Sequence, residues 1–175
     1  MKKNNFLNYL LCAVLIVLGV ASRLVIHIPN FTPIFSIALL AGLYVKNRFI
    51  VIIPISIMLI SDLYIGSHAL VPWIYFSIAI ICLIGYLAKN NTFNVLFYSM
   101  LSAVLFFIIS NFGVWFSGGY TYTIEGLITC YIAAIPFFKN TLISTVLFSS
   151  FIHIVYNFLN LMIQRQQSGK IFEKK

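Results

Sequence analysis

From Asn94 to Phe116, and again from Thr141 to Ile163, the chain runs without one Asp, Glu, Lys or Arg. A transmembrane helix needs roughly 20 mostly apolar residues to cross a hydrocarbon core about 30 Å thick, and both runs meet that need. Four more apolar runs accompany them, Phe6 to Ser22, Phe31 to Val45, Phe49 to Asp62 and Ala69 to Ala88, the second and third of the six being short. With 8% charged residues and a mean hydropathy of +1.03, the chain cannot clothe itself in a water-soluble surface and reads as an integral membrane protein. Its runs are continuous Leu, Ile, Phe and Val rather than apolar and polar residues in alternation, which disfavours a β-barrel. The expected fold is therefore an all-α bundle of six transmembrane helices. One membrane domain covers residues 1–163, and the basic tail from Gln164, QRQQSGKIFEKK, reads as soluble and mobile.

The distribution of basic residues orients such a bundle, because short loops rich in Lys and Arg stay cytoplasmic. With the N-terminus inside, Lys2, Lys3, Lys46, Arg48, Lys89, Arg165, Lys170, Lys174 and Lys175 fall on the inner side, and only Arg23 and Lys139 on the outer. Both termini are then cytoplasmic, in a bacterial inner membrane. The net charge of +8 becomes a topology signal with affinity for anionic lipids, and nucleic-acid binding is disfavoured. Lys2 and Lys3 before the first run, with Gly19-Val20-Ala21 near its end, also have the form of a cleavable signal; a retained helix is the preferred reading. Cys12, Cys82 and Cys130 sit in apolar segments without CxxC spacing, so neither a disulfide framework, a metal site nor a cofactor is indicated.

The stretch from Ser117 to Asn140 is apolar enough for a seventh crossing. That crossing would strand Glu125 in lipid, at a cost of about 3 kcal/mol or more at the bilayer centre. A short interfacial or re-entrant helix, ended by Pro136, is expected instead.

Residues 25–35, VIHIPNFTPIF, are overbuilt for a simple reversal between apolar runs. Thr32 and Pro33 are suited to the N-cap and first position of helix two. Val71-Pro72-Trp73 has the form of a start for helix four and Asn140-Thr141 for helix six, so three helix N-termini would converge at the outer end, where polar or anionic groups bind well. Asn30, Thr32, Asp62, Trp73, Asn111, Trp115, Glu125 and Asn140 are the candidate substrate-binding residues at that level, beside Arg23, His27, His68 and Lys139. Duller roles exist as well: Trp73 and Trp115 as interfacial anchors, Arg23 and Lys139 as snorkelling cations, and Asp62 and Glu125 in internal ion pairs with Arg23 or Lys139 as the counterion.

In order along the chain, PNFTP (29–33), SD (61–62), NFGVW (111–115) and YIAAIPFFKNT (131–141) resemble an uncharacterised family of small bacterial membrane proteins. That family is similar to the S components of energy-coupling factor transporters. The resemblance implies six helices, an outward-facing site for a vitamin-like small molecule, no catalysis, and partnership with a transmembrane T component and an ATPase pair. S components often carry small residues at spacing four on helix one for docking. Here Ala13, Gly19 and Ala21 are the candidates and the seam is imperfect, since Val17 interrupts it.

Two other functions are weighed. His153, Asn157, Asn160 and Gln164 share one side of helix six, at about 100° per residue, and offer either interhelical hydrogen bonds or a proton relay, the latter implying a proton-coupled secondary transporter. His153 would lie mid-membrane, roughly 18 Å below an outer helix start at Thr141. A serine–histidine dyad of Ser117 and His153 fails on depth, and no G-x-S-x-G, H-E-x-x-H or phosphate-loop motif is present. A non-catalytic scaffold is the remaining alternative.

Overall fold

The computed structural model describes residues 16–25, 28–45, 48–66 and 68–172. Among these there is no strand, and helices follow one another along the chain: α1 (Ile16–Val25), α2 (Ile34–Val45), α3 (Ile52–Ile65), α4 (Val71–Leu87), α5 (Thr92–Val114) and α6 (Ile124–Phe172). A 3-10 turn, Arg48–Val51, leads into α3, and a π-helical turn, Trp115–Gly119, follows α5. The end of the bundle at which α2 begins is here called upper. Successive helices alternate in direction from there.

Local chemistry fixes several of the starts. The Ile34 amide donates to Thr32 Oγ1 at 3.3 Å and the Ile37 amide to the Pro33 carbonyl, so Thr32-Pro33 opens α2 as expected. Pro72 lies in the first turn of α4, where its missing N–H costs nothing. Asn91 caps α5 by accepting the Asn94 amide at 2.7 Å.

α2 is the axis of the bundle. Every side chain from Ile34 to Leu43 is buried, under α4 on one side and α5 and α6 on the others. α2 and α4 touch through their backbones. A Cβ on Gly85 would collide with the Leu39 carbonyl, and one on Gly42 with the Cys82 carbonyl and the Tyr86 amide nitrogen. Small residues permit this approach. Ala38 and Gly42, two small residues four apart on this helix, are thus spent inside the bundle. Around the axis lie Ile57, Met58, Ile78, Ile81 and Phe106, with Phe35 and Phe106 rings 4.1 Å apart. Large apolar side chains point outward from the helices around α2, among them Val17, Leu63, Leu87, Phe93, Ile132 and Ile154.

Two features depart from the sequence expectation. The short interfacial helix and helix six are one continuous helix of 49 residues with Pro136 inside it, so neither Pro136 nor Asn140-Thr141 marks a boundary. Proline removes a single backbone donor, and the apolar continuity on both sides outweighs that loss. The cap is Thr123, whose Oγ1 accepts the Gly126 amide at 3.1 Å while its carbonyl accepts that of Leu127. Likewise the chain stays helical beyond Ile163, through Gln164 to Phe172, where a mobile tail was expected. At about 1.5 Å per residue α6 is roughly 73 Å long and α2 about 18 Å. The upper part of the α5–α6 hairpin therefore stands well above the start of α2.

Two helices, Thr92–Gly119 with its π turn and Ile124–Arg165, are long and apolar enough to cross a membrane. The start of helix one, with Cys12 and Ala13, lies outside the described residues, as does His27.

Gly85→Leu should prevent recovery of a monodisperse folded protein in detergent, and Gly85→Ala should lower its unfolding temperature by the equivalent of about 1–3 kcal/mol. Ala133→Leu, on the exposed side of α6, should change neither measure.

Candidate functional site

At the upper end the chain between α1 and α2 forms a strap. Ile28–Thr32 turns tightly, with the Phe31 amide donating to the Ile28 carbonyl and Asn30 in the left-handed region at φ 59°. Asn tolerates that conformation better than most residues with a Cβ. From α6, Asn140 Nδ2 donates to the Pro29 carbonyl at 3.1 Å, and Ser144 Oγ reaches the Asn30 carbonyl at 3.5 Å. The strap is thereby tied to the helix on its far side.

Beneath it opens a cavity of about 210 Å³. Its polar lining is Ser22, Arg23, Asn30 and Thr32; the apolar part comes from Phe31, Phe35, Met58, Ile74, Phe106 and neighbours. A smaller void of about 50 Å³ shares Asn30 and Phe106 and is bordered also by Asn111 and Thr141.

Arg23 is held from α3. Its Nη1 lies 2.9 Å from Asp62 Oδ1, donates to Ser61 Oγ, and approaches the Met58 carbonyl at 3.4 Å. Tyr75 from α4 donates its hydroxyl to Asp62 Oδ2 at 2.9 Å, while Oδ1 faces the guanidinium as an ion pair without hydrogen-bond geometry. The side chains are 16% and 11% exposed. Stripping one partner from a buried pair costs roughly 3–5 kcal/mol, and this partly exposed pair belongs at the lower end of that range. Of the two counterions considered for Asp62, Arg23 is the one in place.

The other candidate residues are placed as follows. Asn30 and Thr32 line the cavity, Asp62 positions Arg23, and Asn140 tethers the strap. Asn111 borders the smaller void, its Nδ2 donating to the Phe107 carbonyl of its own helix. Trp73 packs on Gly113 with its ring against Phe112 and Phe116. Trp115 closes the α5–α6 hairpin by donating Nε1 to the Thr121 carbonyl, and Glu125 is exposed in the first turn of α6. None of these last three borders the cavity. On α1, Gly19 is buried against Ile57 and Ala21 is exposed. Arg23, absent from the binding set inferred from sequence, is the only charged residue in the lining among the described residues. Its signal was present as a basic residue just past the first apolar run.

The polar face of α6 extends further than the sequence suggested. Thr141, Thr145, Ser149, His153 and Asn157 recur at spacing four, all but Asn157 being buried. Among the described residues the hydroxyls of Thr145 and Ser149 find no hydrogen-bond partner. His153 sits at the lower end rather than mid-bundle. Its Nδ1 meets the Tyr44 hydroxyl at the end of α2, and Nε2 faces Thr92 Oγ1 at 3.3 Å and Asn157 Nδ2 at 3.0 Å. Ser117, in the upper π turn, is far from it. Among the described residues no group of His, Cys, Asp and Glu could hold a metal.

Taken together, these features define an all-helical protein with an apolar exterior and a small mixed-polarity cavity under a tethered strap. The profile of DUF6580, a family of unknown function, matches residues 3–168, and the chain belongs to that family. Comparison with curated proteins and with solved structures finds no match.

The Asn140 tether is worth about 0.5–1.5 kcal/mol as a single hydrogen bond. Asn140→Ala should therefore speed hydrogen exchange at the Phe31 amide by about two- to tenfold, with little change at α4 amides, as read by exchange mass spectrometry.

Proposed function

We propose that the protein is a substrate-capturing membrane subunit of a small-molecule importer, spanning the membrane six times with both termini cytoplasmic and its upper end facing out. The observation that carries this reading is the cavity under the strap. It is solute-sized, mixes aromatic walls with a few convergent polar groups, and lies at the end of the bundle away from Arg48, Lys89, Arg165 and Lys170, most of the described Lys and Arg residues. Large apolar side chains exposed on the five helices around α2 support lipid contact around the circumference.

The chain has no phosphate-binding loop, so accumulation against a gradient falls to a partner, an ATPase pair joined through a transmembrane T component. Exposed Ala21 on α1 is available to such a partner, whereas Gly19 is already engaged by Ile57.

One observation favours a second reading, proton-coupled secondary transport. The hydroxyl ladder of α6 runs from Thr141, beside the smaller void, to His153, and two of its rungs are unpartnered. Water in those gaps would make a polar file across the bundle.

Mass spectrometry of small molecules carried through purification tests capture. A specific solute should accompany the native protein and be lost from Ser22→Phe, which fills the cavity while leaving the Arg23–Asp62 pair alone. Native protein that emerges empty from incubation with cell extract, or Ser22→Phe that retains the same solute, would refute capture at this place.

A further inference from the structure

The chemistry of the cavity narrows what it takes, on the assumption that the capture reading above is right. Among the described residues Arg23 is the only charge in the lining, and a single nitrogen, Nη1, makes its contacts to Met58, Ser61 and Asp62. A guanidinium carries five N–H donors in a planar fork. Among the described residues, Nη2 and Nε meet no acceptor, so one edge of the fork is engaged by α3 and the other is open. Asp62 does not border the cavity, and its second oxygen is taken by Tyr75. A bound molecule therefore meets the cation without meeting the carboxylate.

Two further features point the same way. The first residues of α2, Ile34 and Phe35, border the cavity, so the positive end of a 12-residue helix faces it. The remaining wall is apolar and aromatic, with Phe31, Phe35 and Phe106 on the α2 and α5 sides and Met58 and Ile74 on the α3 and α4 sides. A void of about 150 Å³ accommodates benzene. At about 210 Å³ this cavity has room for one six-membered ring with a small polar substituent.

We propose that the site takes a single-ring carboxylic acid as its anion, the carboxylate lying on the open Nη2 and Nε edge of Arg23 and the ring against Phe35 and Phe106. Asn30 and Thr32 at the rim offer hydrogen bonds to ring substituents. Bidentate Arg–carboxylate pairing needs the planar fork, which lysine lacks although it keeps the charge. The competing explanation is that Arg23 only pins α1 to α3. In that case the open edge would confer no preference for anions.

The full chain in detergent, titrated calorimetrically with benzoate, benzamide and acetate, separates the two. Benzoate should bind, with benzamide and acetate at least tenfold weaker, since one lacks the charge and the other the ring. Arg23→Lys should weaken benzoate at least tenfold while its ligand-free unfolding temperature stays close to that of the native protein. Should Arg23→Lys not fold, Ile74→Trp, which occupies the ring space, should abolish benzoate binding instead. Equal binding of benzamide and benzoate, full affinity in the folded Arg23→Lys variant, or no binding of benzoate would each overturn the proposal. A neutral or cationic solute found bound to the purified protein would also overturn it, while leaving capture itself standing.

Discussion

The backbone contact between α2 and α4 is the constraint on which the rest of the structure depends. Gly42 and Gly85 let two helices approach to where a methyl group on either would strike a carbonyl. α2 is thereby set at the centre, buried along its length although only 12 residues long. A helix that short does not reach both ends of a bundle whose α5 and α6 are two to four times longer. The space above its N-terminus has to be filled by something else, and the strap and the cavity beneath it occupy that space.

The cavity inherits its chemistry from this arrangement. α1 runs beside α3 with Gly19 on Ile57, and one turn further on the same register brings Arg23 to Ser61 and Asp62. Tyr75 reaches the same carboxylate from α4, so three helices meet around one ion pair. The strap is fixed independently, from α6, through Asn140 and Ser144. Walls and roof thus belong to different helices, and a motion of α6 against α2 would move the roof without disturbing the ion pair. The α6 hydroxyl ladder lies along that same contact, ending at His153 and Tyr44.

Much of this was legible in the sequence where the signal is local. Thr32-Pro33 and Val71-Pro72 mark real helix starts because a cap and a proline act on their own turn. Asp62 could be recognised as a residue in need of a partner. Asn140-Thr141 carries the same residue types as a cap yet lies mid-helix, because neither Pro136 nor Asn140 outweighs apolar continuity on both sides. The true start at Thr123 is equally local but was overshadowed by those later breakers. Trp73, Trp115 and Glu125 were grouped with the cavity residues on the premise that all helix ends lie at one level. α2 and α6 differ about fourfold in length, so that premise fails: Trp115 and Glu125 belong to the hairpin above, while Trp73 packs on its stem at Gly113. Relative depth depends on packing register, which no single run of residues encodes.

The central claim is that the strap end of the bundle faces out of the cell and leads to the cavity. It is tested most directly by thiol accessibility in intact cells, with Cys12, Cys82 and Cys130 replaced by Ala. A membrane-impermeant maleimide should label Asn30→Cys in intact cells, and Gln164→Cys only after the membrane is permeabilised. Labelling of Gln164→Cys but not Asn30→Cys in intact cells would contradict the claim.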